Sequence, residues 1–405
     1  MGNRLDYPKT FVLGLGFFAI SLCWSLYNSF VPVFLDNALG DVALKGTLVG
    51  IIMTFDNIAA VTLQPYFGAA SDRTWNRHGR RMPYILVGMP LGALFFALIP
   101  FFRHSLVPMI TVLLIMNVSM AIFRAPTVAL MPDVTPPELR SKANGVINLM
   151  GGFGGLLAFF VGSVLYRMSP TYPFIFAAVL MVFSVAMLKW RICEPKVTEG
   201  SGGQEEPVGI LQAFKDVLAD PDRSALRMLL AIFFWFIAWN GIEAFFTLYA
   251  REVWNISEAT GALYLGFFSL ALVACAIPAG FVATAIGRAK TIRIGIVGLA
   301  ACLWGLSMVS QGLVPVLLAL AGAFWALINI NSYPMVVDMA TRSKTGAYTG
   351  LYYLFSSLAA ITGPPIFGVL KDILGMRTLF PFSVLFAVVA FVFMMGVRRG
   401  DPVKA

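Results

Sequence analysis

The sequence predicts an all-α membrane protein with twelve transmembrane helices in two six-helix halves related by a pseudo-twofold axis. Composition is the first reason. The 405 residues are 59% hydrophobic and only 12% charged, with a mean hydropathy of +0.82, against ~25% charged residues in a soluble domain. The second reason is length, because apolar runs of ~20 residues, enough to cross ~30 Å of hydrocarbon, recur along the whole chain. The third is internal repetition. Pro132-Asp133, Arg140-Ser141-Lys142 and Gly145 are echoed by Asp338, Arg342-Ser343-Lys344 and Gly350, and Trp24 with Asn28 is mirrored by Trp239 with Glu243. A parallel repeat of this kind places a ligand between the halves near mid-membrane.

The first run, 11–35, follows Lys9 and is too long for the apolar core of a signal peptide, so no cleavage is expected. It carries Trp24, Tyr27 and Asn28 on one helical face. The second, 46–70, carries Asp56 and ends in Gly68 and Asp72. The third, 83–102, opens at Pro83, a residue suited to the first helical turn. Asn117 and Arg124 lie in the fourth, 107–131. The fifth, 144–166, holds Gly151-Gly152-Phe153-Gly154-Gly155. No strand precedes that cluster and no Lys-Ser/Thr follows it, so it reads as close helix packing or a pivot rather than a phosphate loop. The sixth, 171–190, closes the first half.

Residues 191–225 break the apolar pattern with Ser201-Gly202-Gly203-Gln204-Glu205-Glu206. They then repeat Ile210, Leu211, Phe214, Val217 and Leu218 at helical spacing, which predicts a short amphipathic linker helix on the membrane face. The expected division is therefore 1–190, a central loop 191–225, and 226–405. The second half contributes runs at 228–250, 259–282, 292–310, 314–338, 348–369 and 379–397. Trp235, Trp239, Asn240 and Glu243 lie in the first of these, Asn329, Asn331 and Tyr333 in the fourth, and Tyr352 and Tyr353 in the fifth.

The net charge of +9 follows topology rather than nucleic-acid affinity. With both termini in the cytoplasm, Lys45, Arg103, Arg167, Arg251, Lys371 and Arg377 are the basic residues left outside, and Arg124 lies within a span. The expected location is the plasma (inner) membrane. Cys23, Cys275 and Cys302 sit in apolar spans and Cys193 on the cytoplasmic side, without metal-ligand spacing. No Walker motif is present, which excludes ATP-driven transport on this chain alone. His78 and His104 both lie at loops, which argues against a histidine proton relay.

Gln64-Pro65-Tyr66-Phe67-Gly68-Ala69-Ala70-Ser71-Asp72-Arg73, continuing through Arg77-His78-Gly79-Arg80-Arg81-Met82-Pro83, resembles the hairpin between the second and third helices of major facilitator superfamily transporters. More narrowly it is similar to the sucrose–proton symporters and the wider glycoside–pentoside–hexuronide cation symporters. Arg124-Ala125, with Leu130 and Asp133 beyond, resembles an Arg-Ala-Leu-Leu-Ala-Asp run of the sucrose symporters, where the arginine contributes to the sugar–proton site. This chain departs from plant-type members in span four, where Leu113, Leu114 and Met116 replace a carboxylate and Asn117 is the polar residue. The position of Asp56 resembles a carboxylate of the melibiose-type permeases, but Ala60 stands where sodium-capable members carry a second Asp. The resemblance implies a major facilitator fold and a monomer.

Charges inside the membrane cost at least ~2.5–3.5 kcal/mol each, so Asp56, Arg124 and Glu243 are functional candidates. Asp56 and Glu243 lie ~22 Å above the cytoplasmic ends of their spans and Arg124 only ~10 Å, which leaves an Asp56–Arg124 pair open. Asp56 or Glu243 is the expected proton-coupling site. One carboxylate suits a proton, whose acceptor burial can tune, better than sodium, which needs more oxygen ligands. No other cofactor and no metal is expected. Trp24, Tyr27, Asn28, Asn117, Arg124, Trp239, Asn240, Asn329 and Tyr352 are the candidate substrate residues. Asp72, Arg73, Arg80, Arg81, Asp133, Arg140, Asp338 and Arg342 are read as gating residues whose ion pairs form and break as the halves rock. The expected function is proton-coupled symport of a sugar or glycoside, with a disaccharide as the expected substrate, by alternating access. The alternative is proton-antiport export of amphipathic drugs or lipid-like compounds. A non-transporting receptor or scaffold would leave the buried charges without a use.

Overall fold

The computed structural model describes residues 5–194, 210–309, 311–340 and 344–400. Among them, twelve helices are long and apolar enough to cross a membrane. They are formed by α1 (Tyr7–Leu39), α2 (Lys45–Met53) with α3 (Phe55–Arg73), α4 (Met82–Leu98), α5 (Leu106–Val134), α6 (Arg140–Met168), α7 (Tyr172–Arg191), α9 (Ser224–Glu252), α10 (Glu258–Ile286), α11 (Arg288–Leu306), α12 (Val314–Asp338), α13 (Thr345–Leu374) and α14 (Leu379–Met395). The short α8 (Ile210–Ala219) lies between the sixth and seventh spans. The described residues contain no β-sheet.

Several spans outrun the apolar pattern because polar flanks stay helical. In α1, Asp6 caps the first turn by accepting from the Lys9 N–H, Pro8 occupies that turn, and Gly40 ends the helix at φ 59°. Its 33 residues extend ~50 Å at 1.5 Å per residue, more than the hydrocarbon needs. The second span departs from expectation in another way. It breaks at Thr54 into α2 and α3, although its sequence reads as one continuous run.

The chain divides into two compact units. The first comprises Met1–Lys45, Ile52–Glu199 and Ile256–Gly266, and the second Gly46–Ile51, Gly200–Asn255 and Phe267–Ala405. Within the first, α1 packs on α6, and a methyl group at Gly154 would stand 2.3 Å from the Phe18 carbonyl. Only glycine permits that approach. Phe30, Phe34, Phe96, Tyr166 and Phe174 fill the space alongside. Within the second, α9 packs on α13 and α14 through Phe234, Phe245, Phe367 and Phe386. Gly322 of α12 meets the Phe268 backbone so closely that a Cβ would lie 2.1 Å from its carbonyl oxygen.

α8 forms over the stretch that the amphipathic pattern marks, with Ala213 and Val217 buried. It is held against α13 rather than resting on the membrane face alone. Phe214 meets Phe355 at 6.0 Å between ring centroids, and the Lys344 ammonium donates to Asp216 at 2.7 Å.

Candidate functional site

In the first unit α1, α3 and α5 bring Trp24, Tyr27, Asp56, Asn117 and Arg124 into one polar cluster. The break at Thr54 puts Asp56 in the first turn of α3, where unpaired N–H groups favour a negative charge. Asn57 donates to its carboxylate at 2.8 Å. That carboxylate is near enough for its charge to act on both the Arg124 guanidinium and the Tyr27 hydroxyl. The two residues left open by span depth are thus neighbours. Arg124 also lies 6.0 Å above the Trp24 ring, and Trp24 meets Tyr27 edge-on at 5.2 Å, a cation–π and aromatic arrangement.

Asn117 is 3% exposed, and neither end of its amide completes a hydrogen bond among the described residues. The same is true of the Trp24 indole N–H and the Tyr27 hydroxyl. Asn117 is the neighbour that the Tyr27 hydroxyl senses, although the two are not aligned for a bond. Buried polar groups are otherwise almost always satisfied, which sets these three side chains apart from most of the unit's buried polar groups. Asn28 is half-buried on the same stripe of α1 as Trp24.

The second unit is chemically different. Trp239, Asn240 and Glu243 occupy the more accessible stripe of the otherwise buried α9. Trp239 stacks with Phe268 at 4.2 Å and with Trp325 at 5.2 Å, so its faces are engaged by protein. Asn240 donates to the Phe236 carbonyl at 2.7 Å. Asn331 donates to the Leu327 and Ala279 carbonyls. The buried Tyr352 pairs its hydroxyl with Ser332 at 3.3 Å, and Asn329 is half-buried. The result is a half-buried indole backed by two buried rings and one turn from an acid, with most neighbouring polar groups already hydrogen-bonded.

The rim residues form a compact ionic network in the first unit. Arg80 grips Asp133 with two nitrogens, at 2.5 and 3.1 Å. Arg81, almost buried, donates to Asp133 at 2.9 Å and also to Asp72 and Ser71. Asp72 is thus served by Arg81, not by Arg73 or Arg77, and the exposed Arg73 makes no ion pair among the described residues. Arg140 does not reach Asp133. It donates to the Pro132 and Thr135 carbonyls, where α5 ends. In the second unit Asp338 pairs with Arg288, and Arg342 lies outside the described residues.

Sequence reasoning missed Glu194, which follows α7. Its carboxylate accepts from the backbone N–H groups of Arg80 at 2.8 Å, Arg81 at 3.0 Å and Met82 at 2.7 Å, capping α4. Trp325 and Phe268 were missed as well, and each lies within an apolar span with no local mark of its role. Among the described residues no group of His, Cys, Asp and Glu is placed to hold a metal ion.

A family model described as Major Facilitator Superfamily matches residues 13–274 and 250–405. The class B tetracycline resistance protein of Escherichia coli is 26% identical over 329 residues, covering 80% of this chain and 79% of that protein. The quinolone resistance protein NorA of Staphylococcus aureus is 24% identical over 388 residues, 90% of each. Among solved structures, a bacterial homologue of the human lysosomal transporter Spinster superposes with a TM-score of 0.79. It is 13% identical and covers 98% of both chains, a likeness of fold.

Proposed function

Because the chain belongs to the Major Facilitator Superfamily, we propose that it is a proton-coupled secondary transporter exporting amphipathic, largely apolar compounds by alternating access, with both termini in the cytoplasm. The observation that carries this reading is the imbalance between surface and hydrogen bonding on the second unit. The half-buried Trp239 is backed by the buried rings of Phe268 and Trp325, which makes this wall apolar, while Asn240 and Asn331 donate their amide N–H groups to backbone carbonyls. A sugar needs many free donors and acceptors, whereas an amphipathic molecule needs apolar contact and one or two charges. The similarity to the tetracycline and quinolone resistance proteins lends the same support.

Asp56 is the proton site in this scheme. Deprotonated, it is balanced by Arg124 and the α3 N-terminus. Protonated, it releases Arg124 towards Trp24 and the unpartnered groups of Tyr27 and Asn117. Glu243 supplies the charge that selects a cationic head on the substrate. Arg80, Arg81, Asp72 and Asp133 all lie within the first unit, so in this scheme they hold the rim of that unit rigid as it moves rather than latching one half to the other.

The test is proton-gradient-driven uptake of a fluorescent lipophilic cation into everted membrane vesicles. Uptake is expected in the parent protein, at background in Asp56→Asn, and weakened mainly through a raised KM in Glu243→Gln. Uptake unaffected by Asp56→Asn would overturn the assignment. Glycoside symport is the second reading, favoured by the unpartnered Trp24, Tyr27 and Asn117 groups, which could meet sugar hydroxyls. Its signature is disaccharide-dependent proton uptake in proteoliposomes without dye transport.

A further inference from the structure

Residues 74–81 join α3 to α4 and fold back at Gly79, whose φ of 103° suits glycine, through a bridge between Asn76 and Gly79. Against the end of α7 they enclose a cavity of about 510 Å³. Trp75, Arg77, His78, Met82, Lys189 and Glu194 are among its walls.

The hydrogen bonding inside it does not close. Arg77 Nε donates to His78 Nε2 at 3.2 Å, and the Lys189 ammonium meets His78 Nδ1. A neutral imidazole has one nitrogen lone pair to offer, and a protonated one has none. Two cationic donors therefore address a ring that can satisfy only one of them. Desolvation, then Lys189, then Arg77 hold His78 below the usual histidine range. The nearest carboxylate gives little relief, because Glu194 already accepts from three backbone N–H groups. Asp72 and Asp133 are taken by Arg80 and Arg81. Among the described wall residues, three basic groups thus share a pocket whose one acid is engaged elsewhere.

The surroundings say which anion fits. Trp75 is 48% exposed and Trp190, beside Lys189 at the end of the sixth span, is 74% exposed. Exposed indoles at a span end sit at headgroup depth, and basic pockets at that depth bind lipid phosphates. Met82 and Ile192 add an apolar wall.

We propose that this pocket binds the phosphodiester headgroup of an anionic membrane lipid, the phosphate bridging Arg77 and Lys189 with His78 as a third donor. The indoles of Trp75 and Trp190 flank the glycerol and upper acyl region. The bound lipid ties the loop carrying Arg80 and Arg81 to the end of α7, and so stiffens the rim network from the membrane side.

The experiment uses the full chain purified in a neutral detergent, with lipid retention read by native mass spectrometry and stability by thermal denaturation. The probes are phosphatidylglycerol, phosphatidylcholine and inorganic phosphate. Phosphatidylglycerol should be retained in preference to phosphatidylcholine and raise the melting temperature. The Arg77→Gln/Lys189→Gln variant should weaken its retention roughly tenfold to thirtyfold, and Arg77→Lys/Lys189→Arg should restore it, which separates lost binding from lost folding. Equal retention in the neutralised variant would overturn the proposal. So would stabilisation by millimolar inorganic phosphate equal to that by the lipid, which would make the ligand a free anion. Retention that emerges only in Glu205→Gln/Glu206→Gln would also overturn it, since the chain's own acids would then compete for the pocket.

Discussion

Glu194 shows how one side chain can organise a rim. A helix N-terminus leaves its first N–H groups without intrahelical partners, and this carboxylate takes that of Met82 at the start of α4 together with those of the cap residue Arg81 and of Arg80 before it, with the helix dipole favouring its charge. Glu194→Ala should cost ~1.5–3 kcal/mol, the usual value of hydrogen bonds to a charged group, and Glu194→Gln less, read as lowered melting temperatures of the purified protein. An unchanged melting temperature in the alanine variant would remove the cap from the account. Asp72, Arg80, Arg81 and Asp133 were legible because the first three crowd one hairpin and the fourth ends the adjoining helix. Glu194 was not, because its partners are main-chain groups 112 to 114 residues away. Asp56 was legible as an acid in an apolar run. Its position at a helix start was hidden, since Met53, Thr54 and Phe55 include neither glycine nor proline. The spacing of Trp235, Trp239 and Glu243 identified a helical face, but spacing carries no information on the rings that α10 and α12 bring against Trp239.

The elements themselves were more readable than their contacts. Apolar length alone marks twelve spans, because the bilayer imposes that length. The amphipathic period likewise marks α8, since a short helix must cover its apolar side. What covers it is a tertiary matter, and here it is α13, through Phe355 and Lys344. The α8 contact has a defined pH range. Hydrogen bonds from Lys344 and then Gln212 hold Asp216 below the ordinary aspartate range, and the same pair raises Lys344. A lowered carboxylate stabilises fully above its unfolded value, about 4, and loses that contribution as pH falls through its folded value. A raised lysine stabilises fully below its unfolded value, about 10.4, and loses that contribution as pH rises through its folded one. Amide-exchange protection of residues 210–219, corrected for intrinsic rates, should therefore be flat from pH 5 to 9 in the parent chain and lower throughout in Lys344→Gln. Equal protection in the variant would show that the Phe214–Phe355 contact holds α8 by itself.

At the scale of the molecule, the order of the sequence and the grouping in space are different partitions. The repeat suggests two halves joined end to end, yet residues 46–51 group with the second unit and 256–266 with the first. The second span changes allegiance between Ile51 and Ile52, just before its helix breaks at Thr54. A cut between Glu199 and Gly200 would sever the backbone where the units meet in sequence, but each fragment would keep a piece belonging to the other's packing. The fragments 1–199 and 200–405 should copurify through a tag on either one when coexpressed. Neither should accumulate alone, and a stable, monodisperse single fragment would contradict this. Such a chain tolerates fission only as a pair, so a gene split at this point would bind its two products to joint synthesis in one membrane, an obligate heterodimer made from a single-chain protein.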